Sequence, residues 1–313
     1  MERSDTIYIA GHTGLVGSAL LRRLEAEGYT NLLLRRSSEL DLRRQSAVEE
    51  FFEAQLPEYV FLAAARVGGI LANDTYRAQF AYDNLMIASN VIHAAYRIGV
   101  KKLVNLGSSC IYPGEARQPM TEDQLRTGPL EKTNEPYAIA KIAALKLCRY
   151  YHQQYGANFI SAMPTNLYGP GDNFDLETSH VLPALIRKFH EAKTHGGPVV
   201  LWGDGSPRRE FLYADDLADA LVFLAQNYGP EDIGEFVNVG VGEDISIREL
   251  AELVADIVGY EGEVRWDTTK PNGTPRKLLD VSRMNSFGWH AKTPLREGIE
   301  RAYRSYLECN ERK

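Results

Sequence analysis

The sequence predicts an α/β chain built on a doubly wound parallel sheet, and three observations predict it. Short apolar runs alternate with amphipathic helical runs over residues 1–166, and parallel neighbours need helical crossovers of that kind. A glycine-rich turn joins the first strand-like run to the first helical one. After Asn166 prolines and glycines multiply and the helical runs shorten, as expected where a second, smaller unit begins.

Taken in order, 6–10 reads as a buried strand and 16–27 as an amphipathic helix ended by Gly28. Residues 31–34 form a second strand, and 47–55 a short helix stopped by Pro57. A third strand at 59–63 leads into a long helix from about 74 to 98, closed by Gly99. A strand at 102–106, a helix at 137–155 and a strand at 158–163 complete the first unit. Beyond it, 211–225, 245–258 and 295–307 read as helices, and 235–240 as a strand that rejoins the sheet. The expected organisation is a dinucleotide-binding domain at 1–166 with returning segments near 208–242. Residues 167–313 would form mainly a smaller, discontinuous substrate domain. No internal repeat is visible.

Composition narrows the class. With 44% hydrophobic and 25% charged residues the chain suits a globular fold. No apolar run approaches the ~20 residues that span a bilayer, and the N-terminus enters a strand directly, so neither a membrane nor a signal peptide is expected. Three cysteines without metal-ligand spacing fit a reducing cytoplasm and no metal site. A net charge of −7 argues against nucleic acid as a partner.

The glycine turn is Gly11-His12-Thr13-Gly14-Leu15-Val16-Gly17. Such glycines allow a tight turn and close approach of backbone to a pyrophosphate at a helix N-terminus. Arg35-Arg36-Ser37-Ser38 follows the second strand, where an acid would receive a ribose hydroxyl. Arginines suit a 2′-phosphate, so NADP is expected rather than NAD. Asp41 reads equally as a contact on the adenine side or as a helix N-cap.

The chemistry-bearing pattern is Tyr137-Ala-Ile-Ala-Lys141, downstream of Ser108. Spacing of four puts Tyr137 and Lys141 on one helix face. An ammonium there stabilises a phenolate, and a serine beside it can hold a carbonyl or alcohol oxygen. Cys110 adds a thiol that hydride transfer alone does not require. Taken singly, Cys110 fits a small buried residue and His180 a polar helix start; Cys148 and Cys309 read as structural.

With these motifs the chain resembles the extended short-chain dehydrogenases/reductases that act on nucleotide sugars, a Rossmann-type family. The likeness tightens at Leu106-Gly-Ser-Ser-Cys-Ile-Tyr-Pro113, Thr133-Asn-Glu-Pro-Tyr-Ala-Ile-Ala-Lys141, Met163-Pro-Thr-Asn-Leu-Tyr-Gly-Pro170, Ser179-His-Val-Leu-Pro183 and Lys270-Pro-Asn-Gly-Thr-Pro-Arg-Lys277. These segments are similar to the branch that epimerises GDP-4-keto-6-deoxy-D-mannose at C3 and C5 and reduces it at C4 with NADPH. The resemblance implies Cys110 as base and His180 as acid in epimerisation. It implies Ser108, Tyr137 and Lys141 at the C4 oxygen. Ala63, Ala64, Ala65, Leu106, Gly107, Ser109, Pro164, Thr165, Asn166, Leu167, Lys141 and His180 would line the cofactor. Lys188, Trp202, Arg209, Asn272 and Lys277 would contact the GDP-sugar.

Two departures stand out: Thr13 where some members carry a basic residue, and lysine at 188 in place of arginine's fork. The resemblance also implies a homodimer through the helices near 75–98 and 137–155. A NAD-retaining 4-epimerase or 4,6-dehydratase is disfavoured by Ser109-Cys110 and the two arginines. A non-enzymatic NADP-sensing regulator is disfavoured by the intact Tyr137 and Lys141.

Overall fold

The computed structural model describes residues 1–270 and 272–311. Its first half alternates as expected: β1 (Ile7–Ala10), α1 (Leu15–Ala26), β2 (Leu32–Leu33), α2 (Gln45–Gln55), β3 (Tyr59–Leu62), α3 (Ile70–Thr75), α4 (Arg77–Arg97), β4 (Lys102–Leu106), α5 (Glu135–Tyr155) and β5 (Phe159–Pro164). The second half runs β6 (Asn166–Tyr168), α6 (Val181–His195), β7 (Val199–Trp202), β8 (Arg208–Arg209), β9 (Phe211–Tyr213), α7 (Ala214–Asn227), α8 (Pro230–Ile233), β10 (Val237–Val239), β11 (Ile245–Ser246), α9 (Ile247–Val258), β12 (Val264–Asp267), β13 (Arg276–Lys277), α10 (Ser282–Ser286) and α11 (Leu295–Glu311).

Six parallel strands form the central sheet in the order β10-β5-β4-β3-β1-β2. From β1 the chain steps outward to β2, then returns across β1 to β3. That reversal opens a crevice above the carboxyl ends of β1 and β3, where open α/β sheets place their ligands. Helices cover both faces. Leu20 and Leu24 of α1 and Leu217 and Leu221 of α7 bury against one face, and Val48, Phe52, Val91 and Ile92 of α2 and α4 against the other. A separate apolar cluster joins α6, α9 and α11 through Phe189, Val254 and Ile299. The segments after β5 therefore hold a core of their own, and β10 returns to the sheet beside β5.

The element boundaries differ from expectation where two patterns compete. The long helix expected from 74 breaks at Tyr76, whose φ of −105° and ψ of 40° are not helical. Residues 211–213, expected to open a helix, instead form β9, fully buried and paired with β6. A short continuous apolar run fits either a buried strand or a helix. Helix α7 starts only at Ala214, where Asp215 and Asp216 place negative charge at its N-terminus. Likewise the helix expected from 245 begins at Ile247, because Ser246 and Glu249 form a capping box.

Glu210 joins the two halves between β8 and β9. Fully buried, its carboxylate accepts N–H bonds from Val241 (2.6 Å), Gly242 (2.8 Å) and Leu279 (3.0 Å). Its carbonyl oxygen accepts from Thr165 Oγ1 (3.3 Å) and Asn166 Nδ2 (2.8 Å). An unpartnered buried carboxylate would cost several kcal/mol, so these donors are what allow an acid at this point. Burial still holds Glu210 above the usual carboxylate range, against the pull of the Gly242 and Leu279 N–H groups.

Candidate active site

The crevice is a cavity of about 820 Å³ running from the glycine turn to the end of β4 and the start of α6. Gly11 has φ of +88°, and a Cβ there would lie 2.8 Å from the Ala64 Cα, so the loops after β1 and β3 touch through bare backbone. A Cβ on Gly17 would overlap the Gly11 carbonyl oxygen, whereas one on Gly14 would meet only that oxygen at 3.5 Å. No side chain caps α1. Its first-turn N–H groups therefore face the cavity as anion donors. A dinucleotide pyrophosphate fits this cradle.

Of the residues expected to hold the cofactor, Gly11, Thr13, Gly14, Leu15, Val16, Gly17, Arg35, Asp41, Ala63, Ala64, Ala65, Leu106, Gly107, Ser109, Lys141, Pro164, Thr165, Asn166, Leu167 and His180 line the cavity. His12 and Arg36 lie outside its wall. The His12 ring is turned inward with a buried Nδ1, and burial lowers its pKa. Arg36 is exposed, its backbone N–H bonded to Glu39 at 2.7 Å. Asp41 is not a helix cap, since α2 begins at Gln45 after Arg44. Its carboxylate instead pairs with Arg43. Arg43, Arg66, Asp83, Asp172, Asn173, Thr178 and Ser179 also line the cavity. The Asp41-Leu-Arg43 juxtaposition was a readable signal for one of them; the others are placed by the fold alone. Among these, burial pushes Asp172 up to about 7.

At the far end, β4 delivers Ser108 and a 3₁₀ turn places Cys110 behind it. The Cys110 N–H points at Ser108 Oγ, 3.4 Å away. Tyr137 comes from the first turn of α5, started by Pro136. One turn on, Lys141 donates to the Leu106 carbonyl (2.7 Å), with Nζ 5.7 Å from the Tyr137 ring centre. Ser108, Tyr137, Lys141 and His180 line the cavity; Cys110, 9% exposed, lies one layer back.

The residues expected to contact a substrate form a separate strip beside the cavity, and none lines it. Arg209 and Lys277 are register partners on β8 and β13. Asn272 Oδ1 accepts the Asp204 N–H (2.9 Å), Lys188 donates to the Val200 carbonyl (3.0 Å), and Trp202 is 58% exposed beneath Lys270. Pro271 of the Lys270–Lys277 motif lies outside the described residues. Lys277 links strip and cavity, because its charge acts on Cys110.

The description of the NAD dependent epimerase/dehydratase family matches residues 7–240. The chain belongs to that family. It is 58% identical over 312 residues to GDP-L-fucose synthase 1 of Arabidopsis thaliana, covering 99% of this chain and 96% of that protein. It is 52% identical over 313 residues to GDP-L-fucose synthase of Escherichia coli (strain K12), covering 98% of each. Among solved structures, a GDP-L-fucose synthetase from Naegleria fowleri bound to NADP matches with a TM-score of 0.92 at 33% identity, over 99% of this chain and 95% of that one.

In this member of the epimerase/dehydratase family, burial sets the resting protonation of the site. It pushes Tyr137 well above the ordinary phenol value, with Cys110 adding to the effect and Ser108 opposing it. Burial likewise raises the Cys110 thiol, against Ser108, Lys277 and Lys141. It lowers Lys141 to about 8 and His180 below its usual value. The expectation that Lys141 brings the phenol down is not met, because desolvation of the phenolate dominates and the ammonium is directed at Leu106.

The cradle separates two glycine substitutions. Gly17→Ala should cost about 3 kcal/mol of stability, the upper end for overpacking, since backbone has to move, and Gly14→Ala should fold normally yet bind dinucleotide weakly. Thermal unfolding and quenching of intrinsic fluorescence by dinucleotide measure the pair; equal effects would exclude a phosphate cradle at Gly14.

Proposed function

We propose that this chain converts GDP-4-keto-6-deoxy-D-mannose to GDP-L-fucose, by inversion at C3 and C5 followed by NADPH-dependent reduction at C4. The observation that carries it is the position of Ser108, beside both Tyr137 and Cys110. One hydroxyl thus adjoins the residue suited to a ketone oxygen and the thiol suited to the adjacent carbons. Full-length similarity to curated GDP-L-fucose synthases supports the same reading.

Protons on C3 and C5 are acidic because removing either places charge on the C4 oxygen as an enolate. Ser108 and Tyr137 donate hydrogen bonds to that oxygen and stabilise the charge. Cys110 takes the proton from one face once Ser108, Lys277 and Lys141 draw its thiol toward thiolate. His180 returns one from the other face. Bound NADPH supplies hydride to C4. Tyr137, held protonated by burial, then gives its proton to the oxygen, and Lys141 balances the phenolate left behind. Arg209 and Lys277 are suited to the GDP pyrophosphate as paired cations on adjacent strands, Trp202 to a ring, and Lys188 and Asn272 to the remaining polar groups.

The reading includes a cytoplasmic homodimer. Among the described residues no helix is long and apolar enough to cross a membrane. Tyr82 of α4 and Ile139 and Tyr150 of α5 are exposed at 61%, 48% and 55%, an apolar face for a second copy. Retained NAD is disfavoured by Ser109-Cys110 and by the arginines after β2, and pure NADP sensing by Tyr137 and Lys141, both of which stand in the cavity wall.

Incubation with GDP-4-keto-6-deoxymannose and NADPH in deuterated water should place deuterium at C3 and C5 as NADPH is consumed. Cys110→Ser should lose about 100-fold or more of the exchange while still binding NADPH, and Tyr137→Phe should abolish reduction; full turnover by Cys110→Ser would sink the proposal. The pH profile adds an independent check. Lys141 is cationic below about 8 and neutral above, so the reduction rate should fall as pH rises through that value. Lys141→Arg should move the fall upward; a flat wild-type profile would exclude Lys141. Sedimentation should give a dimer, and a monomer at every concentration would refute the α4/α5 pairing.

A further inference from the structure

The structure assigns selection of the cofactor's 2′-phosphate to Arg43, not to Arg36. This rests on the NADP reading above and concerns which residue of this chain carries it out. Beyond the end of β2 the polar groups of the cavity wall are Arg35, Ser37, Ser38, Asp41 and Arg43, joined by Arg66 and Asp83. Arg36 is exposed outside that wall, and Thr13 on the glycine turn carries no charge. Arg35 lies in the wall, but its head is turned back onto its own strand and α2: NH1 donates to the Leu34 carbonyl (2.8 Å) and the guanidinium lies 5.5 Å from the Phe51 ring centre.

Arg43 is held differently. Its Nε and NH2 donate to the two oxygens of Asp41, each at 2.9 Å, and its NH1 donates to Asp83 at 3.1 Å. A guanidinium has five N–H groups. Three are used, and the two that remain sit one on each terminal nitrogen, free to donate to a phosphate. The two aspartates therefore fix the plane of the group without exhausting its donors.

The same pairing disposes of Asp41 as a selector for NAD. A free carboxylate here would accept a ribose hydroxyl and repel a phosphate. Both Asp41 oxygens are committed to Arg43, and Oδ1 also accepts the Arg43 backbone N–H at 3.0 Å. Arg66 shares Asp83 at 3.1 Å. Three arginines against two aspartates leave this end of the cavity positive. Asp41 is thus a positioning residue for Arg43, and Arg43 is the one that meets the ligand.

The test is calorimetric titration of the whole protein with NADPH and with NADH. Arg43→Leu should weaken NADPH binding about 10- to 100-fold, the range for one charge-assisted pair, and NADH binding by less than about threefold, within the factor-of-few scatter of a lost surface contact. Arg43→Lys keeps a charge near Asp83 but loses the fork, so its loss should be intermediate, and retained NADH binding reports that each variant is folded. The loss should shrink as salt is raised, because salt screens the wild-type contact. The assignment is overturned if Arg36→Ala takes the NADPH loss while Arg43→Leu does not. It is also overturned if Arg43→Leu weakens both nucleotides equally, since Arg43 would then be structural. Wild-type protein that binds neither nucleotide would remove the underlying NADP reading itself.

Discussion

The contact of bare backbone between the turn after β1 and the loop after β3 is the constraint on which the rest of the molecule depends. The sheet reverses direction at that seam, and the crevice above it is where ligand-binding surface gathers. Gly11 and Ala64 meet there with no room for a side chain. Because the loops close so tightly, α1 aims its uncapped N–H groups along the crevice and not into a wall. The end of β4 then stands across from it, so a cofactor lying in the crevice reaches from the glycine turn to Ser108 and Tyr137.

Burial then gives that end of the crevice its chemistry. Enclosure drives thiol, phenol, imidazole and ammonium all toward their neutral forms. Thiol and phenol therefore keep their protons at rest, while Lys141, brought down only to about 8, still carries its charge at neutral pH. Ser108 opposes burial at both the thiol and the phenol, and Lys277 reaches Cys110 from the neighbouring strip. Burial at the thiol is therefore opposed by residues from both halves of the chain, without being overcome.

Much of this was legible in the sequence, and the failures have physical causes. Alternating periodicities gave the first unit, and the glycine spacing with Tyr137 and Lys141 located both ends of the cavity. Boundaries slipped at 211–213, where an apolar run has no period that separates strand from helix until pairing partners are known, and at 245–246, where Ser246 caps α9. The basic residues near β2 were the instructive case. Arg35 and Arg36 are adjacent in sequence, but successive side chains leave the chain in different directions, and only one enters the wall. Arg43 enters because Asp41 and Asp83 hold it there, and Asp83 lies forty residues on, in α4. No local pattern records such a partnership. The five substrate candidates gathered on one strip, yet their separation from the cavity depends on how β7, β8 and β13 fold back, which spacing does not reveal.

Glu210 has a consequence for how the two halves keep their alignment. Its carbonyl holds Thr165 and Asn166 on the cofactor side, while its carboxylate holds the chain two residues beyond Lys277. Arg209 is its immediate neighbour in the chain. The turn at Thr165–Asn166 and the strand carrying Lys277 are thereby fastened to the backbone and the side chain of one residue, as two plates are fastened by a single rivet. A displacement of either plate moves the rivet, so the spacing of that turn from the Lys277 strand is tied to the length of one glutamate.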